Sequence, residues 1–235
     1  DLCILIFKKC ATSYCNLDKK DYANGKKRII LTDEIYKLQE TPFADNFALE
    51  TESRWNLVET AWELNISRNL LNVRYDEESK IFFVDSNFKR KDVTSARGAL
   101  NGYQKGKCFY CFDDITVSGD DTNTCDVDHF FPHTLQHLFP DINLDGVWNL
   151  VLTCPACNRG EGGKFARVPA TKYLTRLHKR NEFLISSHHP LRETIIRQTG
   201  ATEQERRAFL ASVDQRAIDA LVHRWETPEV APATF

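Results

Sequence analysis

Three short stretches carry residue types suited to hydrolysing a phosphate ester. "DVDHFFPH" sets Asp126, Asp128 and His129 within four positions, "GVWNLVL" holds Asn149, and "CPACNRG" holds Asn158 and Arg159. Such hydrolysis needs a base for water, positive charge on the phosphoryl oxygens and stabilisation of the departing alkoxide. Imidazole titrates near neutrality, so His129 can take the proton of water. A hard divalent cation prefers oxygen ligands, so Asp128 and the amide oxygen of Asn158 can hold Mg2+ or Mn2+. Asp126 shares a strand face with Asp128 and could serve instead as an additional or substitute ligand. Neighbouring residues of a regular strand face opposite sides, so the strand must twist or end if Asp128 and His129 are to serve one site.

Cysteine spacing suggests what gathers these stretches. Of eight cysteines, "CFYC" contributes Cys108 and Cys111 and "CPAC" contributes Cys154 and Cys157, with forty-two residues between the pairs. Secretory features are lacking, which argues against a disulfide framework. Four thiolates at about 2.3 Å from one ion satisfy tetrahedral zinc and leave no open position, so the site would staple the fold rather than react. The competing reading, buried or redox-active C-x-x-C turns, lacks a surrounding βαβ pattern. Cys125 reads as an ordinary buried thiol, and Cys3, Cys10 and Cys15 read as structural.

Taken together, the C-x-x-C pairs, "DVDHFFP", "WNLVL" and "CPACNRG" resemble the HNH endonuclease family, the zinc-stapled branch of the ββα-metal nucleases. "DVDH" and "NRG" are similar to the HNH domain of RNA-guided CRISPR nucleases. The resemblance covers Lys105 to Lys164, about a quarter of the chain. It implies metal-dependent endonucleolytic cleavage of DNA leaving 5′-phosphates, with His129 as base and with Asp128 and Asn158 as ligands of Mg2+ or Mn2+. Asn149 would fasten the loop carrying His129. It also implies a prokaryotic defence or CRISPR-type effector complex as the setting. The alternative is a zinc-stabilised nucleic-acid-binding or interaction module without catalysis of its own.

The elements expected to position these residues form an α+β protein with a ββα-metal core over 105–165. A mixed helix and hairpin region over 1–104 precedes it and a helical region over 166–235 follows. "RWNLVETAWELN" reads as an amphipathic helix with Trp55, Val58 and Trp62 on one face. "NLLNVRYDEESKIFFV" reads as a hairpin. "DVTSARGALNGY" reads as a helix capped by Thr94 or Ser95 and stopped by Gly102. His133 and His137 read as solvent-facing or substrate-side residues, and His188 and His189 as a helix entry.

Net charge is only −2, but it is unevenly placed. Ser86 to Tyr110 carries six bases against one acid, Arg159 to Arg180 seven against one, and Phe112 to Asp128 holds six aspartates without a base. The pattern suits a metal site beside a phosphate-binding surface, with Lys105, Lys107, Arg159 and Lys164 as contacts to the nucleic-acid backbone. Apolar residues at 42% and charged residues at 27% suit a folded, soluble protein. No run is long and apolar enough for a membrane span and no signal peptide is evident, so a cytoplasmic location is expected. The chain has no methionine, so a preceding portion of a longer polypeptide is expected.

Overall fold

The computed structural model describes residues 15–17, 24, 29–31, 33, 36–37, 40, 44–63, 73–76, 78, 81–86, 89–92, 96–117, 124–187, 189–228 and 231–235. The chain forms two compact units, Asp1–Asp45 and Asn46–Phe235. In the first, β1 (Cys15–Leu17) pairs antiparallel with β2 (Ile29–Leu31), Cys15 opposite Leu31. Cys3, Cys10, Thr94, Ser95 and His188 lie outside the described residues.

Helix α1 (Ala44–Glu63) is longer than the sequence reading, and of the three residues expected on its apolar face Val58 is buried, Trp55 is not, and the Trp62 side chain lies outside what the structure describes. Ser53, Leu57 and Val58 are buried, whereas Trp55 is 44% exposed, with its indole N–H donating to Glu59. The expected hairpin is present as β3 (Val73–Asp76) and β4 (Ile81–Ser86). A third antiparallel strand, β5 (Lys89–Asp92), extends it, although its sequence "KRKD" reads only as a basic segment. Tyr75 and Phe82 turn their rings into the core, with centroids 5.0 Å apart.

Helix α2 (Ala96–Gln104) runs through Gly102 rather than stopping there. It ends on Lys105 and Gly106, both at positive φ, and the Asn101 side chain accepts from the Gly106 N–H. A Cβ on Gly98 would strike Ser53, and one on Gly102 would strike Glu50, so these glycines let α2 approach α1.

The centre of the second unit is an antiparallel pair, β6 (Asp126–His129) and β7 (Leu150–Thr153), followed by the short helix α3 (Pro155–Arg159). Two 3-10 turns, His133–Leu138 and Val147–Asn149, occupy the connection between the strands. Beyond α3 come β8 (Val168–Pro169), α4 (Thr171–Ser186), α5 (Arg192–Thr199), α6 (Glu203–Leu221) and β9 (Arg224–Trp225), the last parallel to β8. Thr202 and Glu205 exchange bonds in a capping box that starts α6, satisfying amides the helix cannot pair itself. The protein thus mixes helices with small sheets, as expected at that level.

One continuous core joins these parts. Phe130, Phe131, Trp148, Leu150 and Tyr173 are fully buried within it, each contributing about 1.5–3 kcal/mol or more of transfer free energy. The expected boundaries near 104 and 165 fall inside this unit. Gln104 donates to the Leu152 carbonyl and accepts from the Leu152 N–H, which welds α2 to β7. Arg180 of α4, also fully buried, donates to the carbonyls of Val147, Trp148 and Leu150. Among the described residues no helix is long and apolar enough to cross a membrane.

Candidate metal centre and adjoining polar cluster

Both C-x-x-C stretches fold as tight turns whose sulfurs converge. Phe112 N–H bonds back to the Cys108 carbonyl, closing the first turn, and Phe112 takes a positive φ. Cys154 caps α3, its sulfur accepting from the Cys157 N–H, while Pro155 needs no N–H partner at the first helical position. The first turn is tied to β7 by the Phe109 N–H donating to the Leu152 carbonyl.

As a result, the ligand atoms of Cys108, Cys111, Cys154 and Cys157 all lie within 4.8 Å of one another. Cys111 Sγ and Cys154 Sγ are 3.7 Å apart, close to the edge of about 3.8 Å implied by four bonds of about 2.3 Å in a tetrahedron. The cluster can therefore hold a metal such as zinc. The crowded thiols divide their protons unequally: hydrogen bonds from Cys108, Cys111 and Cys157 hold the Cys154 thiol far below the ordinary range and Cys108 is also lowered, whereas contacts with the other sulfurs push Cys111 and Cys157 far above it. Cys125 is buried but separate from this cluster, and burial pushes its thiol up to about 11.

The residues of β6 take partners on two sides. Asp128 is 6% exposed, and both carboxylate oxygens are engaged. Tyr110, from inside the first cysteine turn, donates to Oδ2 at 2.7 Å, and Lys164 Nζ lies 2.9 Å from Oδ1. Burial and the neighbouring carboxylate push the Tyr110 hydroxyl well above the phenol range, so it stays a donor. His129 ends the strand and turns elsewhere: its Nε2 lies 3.0 Å from Asp145 Oδ1, and its ring is 5.5 Å from that of the exposed His133. His137, also exposed, contacts the Thr134 carbonyl in its own turn.

Asn149 behaves as a clamp. Fully buried, it accepts from the Phe131 N–H and donates to the carbonyls of Phe131 and Leu144. Phe131 lies two residues beyond His129, and Leu144 immediately precedes Asp145. One amide thereby fixes both segments that carry the His129–Asp145 pair.

Asn158 does not meet Asp128 as expected. Its Nδ2 donates to Asp126 Oδ2 at 3.1 Å, and Arg159 Nε donates to the same oxygen at 2.8 Å. The side chains of Asp128 and Asn158 thus make their bonds to different partners, and an ammonium already neutralises Asp128. This arrangement does not fit a divalent ion shared between them.

Charge counting also misplaced several bases. Lys164 was expected at a nucleic-acid surface but is fully buried. Arg176 lies over the Phe112 ring and donates to the carbonyls of Phe109 and Tyr110. Arg180 is buried as described; burial pulls it down to about 9, and it remains protonated at neutral pH. Three of the seven bases between Arg159 and Arg180 are therefore internal struts. Lys107 pairs with Asp114, Lys105 closes α2, and Arg159 remains at the surface against Asp126.

Sequence reasoning missed Asp145 and Tyr110 as partners of the two central residues. Asp145 stands in "NLDG", four positions before Asn149, and Tyr110 stands between the first cysteines; only the fold reveals what they touch. Comparison of the chain with models of known families, with curated proteins and with solved structures gives no match.

Proposed function

We propose that the chain is an HNH-type endonuclease that hydrolyses DNA, built on a ββα-metal core with structural zinc in the four-cysteine site. The observation that carries this reading is the oriented His129–Asp145 pair at the end of β6, two residues from a clamped loop and adjacent to Asp128. An imidazole backed by a carboxylate is suited to take a proton from water, since the carboxylate stabilises the imidazolium that forms. Asp126, Asn158 and Arg159 form a second polar group at the other end of the same strand. Arg159 is the surface base best placed to meet a phosphate beside it. The Mg2+ or Mn2+ ion of this reading, which would neutralise phosphoryl oxygens, has no ready-made seat between Asp128 and Asn158. A prokaryotic defence or CRISPR-type complex as partner belongs to the same proposal.

A second reading has its own support. Both oxygens of Asp128 are engaged and His129 is only 4% exposed, which suits a zinc-stabilised binding or interaction module. Supercoiled plasmid incubated with the chain and Mg2+ or Mn2+ separates the two. The nuclease reading expects nicking that His129→Ala reduces at least a hundredfold with zinc content unchanged. Plasmid that stays intact with the zinc-loaded wild type, while retaining affinity for the chain, would establish the binding module instead.

A further inference from the structure

Between α3 and β8 the chain turns a phenylalanine outward: Phe165 is 56% exposed, although this residue type ordinarily sits in a core. Its φ of 49° lies in the left-handed region, where a bulky side chain is strained. Such strain persists only where the surroundings over-determine it, and here they do. Four successive carbonyls are occupied. Gly162 accepts from the Trp225 indole and Arg167, Gly163 from Arg167, Lys164 from Arg167 Nε at 3.2 Å, and Phe165 from Lys164 Nζ at 3.2 Å. The loop thus fixes an aromatic ring in water, where it adds little to the fold.

The same loop is bonded toward both polar groups of β6. The Lys164 ammonium that holds the Phe165 carbonyl also bonds Asp128 Oδ1 at 2.9 Å and the His129 carbonyl at 2.8 Å. On the other side the Phe165 N–H donates to the Asn158 carbonyl at 2.9 Å, next to Arg159, whose side chain is 66% exposed. Lys164 is internal, so the exposed charges from Arg159 to Arg167 are two guanidinium groups, Arg159 and Arg167, and the Glu161 carboxylate.

We propose that Phe165 is a stacking platform for one unpaired nucleobase, with Arg159 meeting the adjoining phosphate. This deepens the nuclease reading, on which it rests, by naming the form of nucleic acid taken: a strand with an open base face. Every base has a π-face, so the contact is indifferent to sequence. In a closed duplex the base faces are covered by their neighbours, and a ring can enter only by unstacking a step. Supercoiled plasmid, being underwound, opens locally and offers the same faces. An apolar protein partner would call for a contiguous apolar patch, whereas this loop sets a single ring among glycines and charges. Because the backbone already holds the ring in place, little ordering is lost when a base settles on it.

The zinc-loaded chain tests this without added Mg2+ or Mn2+, so that binding is read apart from cleavage. Fluorescence anisotropy measures affinity for a labelled mixed-sequence DNA strand of about 12 nucleotides, for its duplex and for an abasic strand of equal length. Phe165→Ala should weaken binding of the intact strand about five- to a hundredfold and leave duplex and abasic strand within about twofold. Phe165→Trp, which keeps a stacking ring, should bind like wild type, and Phe165→Leu, apolar without a π-face, should bind like the alanine variant. Arg159→Gln should flatten the salt dependence of binding, which Phe165→Ala should leave unchanged. Wild type should bind the abasic strand more weakly than the intact one, which puts the question without any substitution should a variant fail to fold. Equal affinity of wild type and Phe165→Ala for the intact strand, an equal loss on duplex, a leucine variant as good as tryptophan, or no binding of the strand by wild type would overturn the proposal. A stacking preference in a chain that never nicks plasmid removes the nuclease reading alone, and nicking without that preference removes this proposal alone.

Discussion

Replacing Asn149 by alanine removes three hydrogen bonds to main-chain groups at a position with no solvent access. Each buried backbone group left without its partner costs about 1–3 kcal/mol. Water entering the vacated space would recover part of this, so about 3–6 kcal/mol is expected for Asn149→Ala. That is a large fraction of the roughly 5–15 kcal/mol typical of a folded domain. The assay is urea unfolding followed by tryptophan fluorescence, which reports the second unit because all four tryptophans lie beyond residue 45. With a slope of about 2–3 kcal/mol per molar, the midpoint should fall by about 1–3 M. Asn149→Asp supplies the sharper comparison. It keeps the oxygen that accepts from Phe131 but turns the donor toward Phe131 and Leu144 into a second acceptor, setting negative charge against two carbonyls. It should be less stable than Asn149→Ala. A loss below about 1 kcal/mol for alanine, or an aspartate variant more stable than alanine, would refute the clamp.

The four-cysteine site should bind one zinc ion per chain, measured by atomic absorption. Chelation or Cys154→Ser should lower the thermal midpoint by on the order of 10 °C or more, whereas Cys125→Ser should retain the metal. His189 gives a pH signature: its Nε2 contacts the Ala99 carbonyl, its Nδ1 accepts from the Leu191 N–H, and burial pulls the imidazole down to about 3. The unfolded chain protonates near pH 6.5, so as pH falls from there toward 3 protons bind preferentially to the unfolded state and stability declines. The slope from this residue is about 1.4 kcal/mol per pH unit, or roughly 2 kcal/mol between pH 6.5 and 5. His189→Gln should remove that component from denaturation midpoints measured across the window; an unchanged slope would count against a buried neutral imidazole.

The cysteine framework was legible because its information is local: two C-x-x-C pairs set tight turns, and tetrahedral sulfur geometry does the rest. The hairpin and the later helices were legible from apolar periodicity. What escaped depends on distant partners. Counting charge cannot distinguish a solvated arginine from Arg180, whose donors satisfy carbonyls some thirty residues away. Gly102 looked like a terminator because its side of α2 is read without α1; next to Glu50 it is a point of close approach. Asp145 carries no signature of its own, since it acquires meaning only when the Asn149 clamp brings its turn beside His129. The strand alternation that set Asp128 and His129 on different partners was foreseeable, but not that a buried lysine would occupy the space between strand and loop.

The reciprocal bonding of Gln104 with Leu152 spans forty-eight positions, and the contact of His189 with Ala99 spans ninety. Such remote pairings make the conformational search slow, because each long loop loses entropy before its contacts form. An ion caught early by both cysteine turns would shorten that search, since it draws Gln104 and Leu152 within reach at the outset. Metal supply during refolding should consequently set the rate at which the native state is reached as well as its final stability.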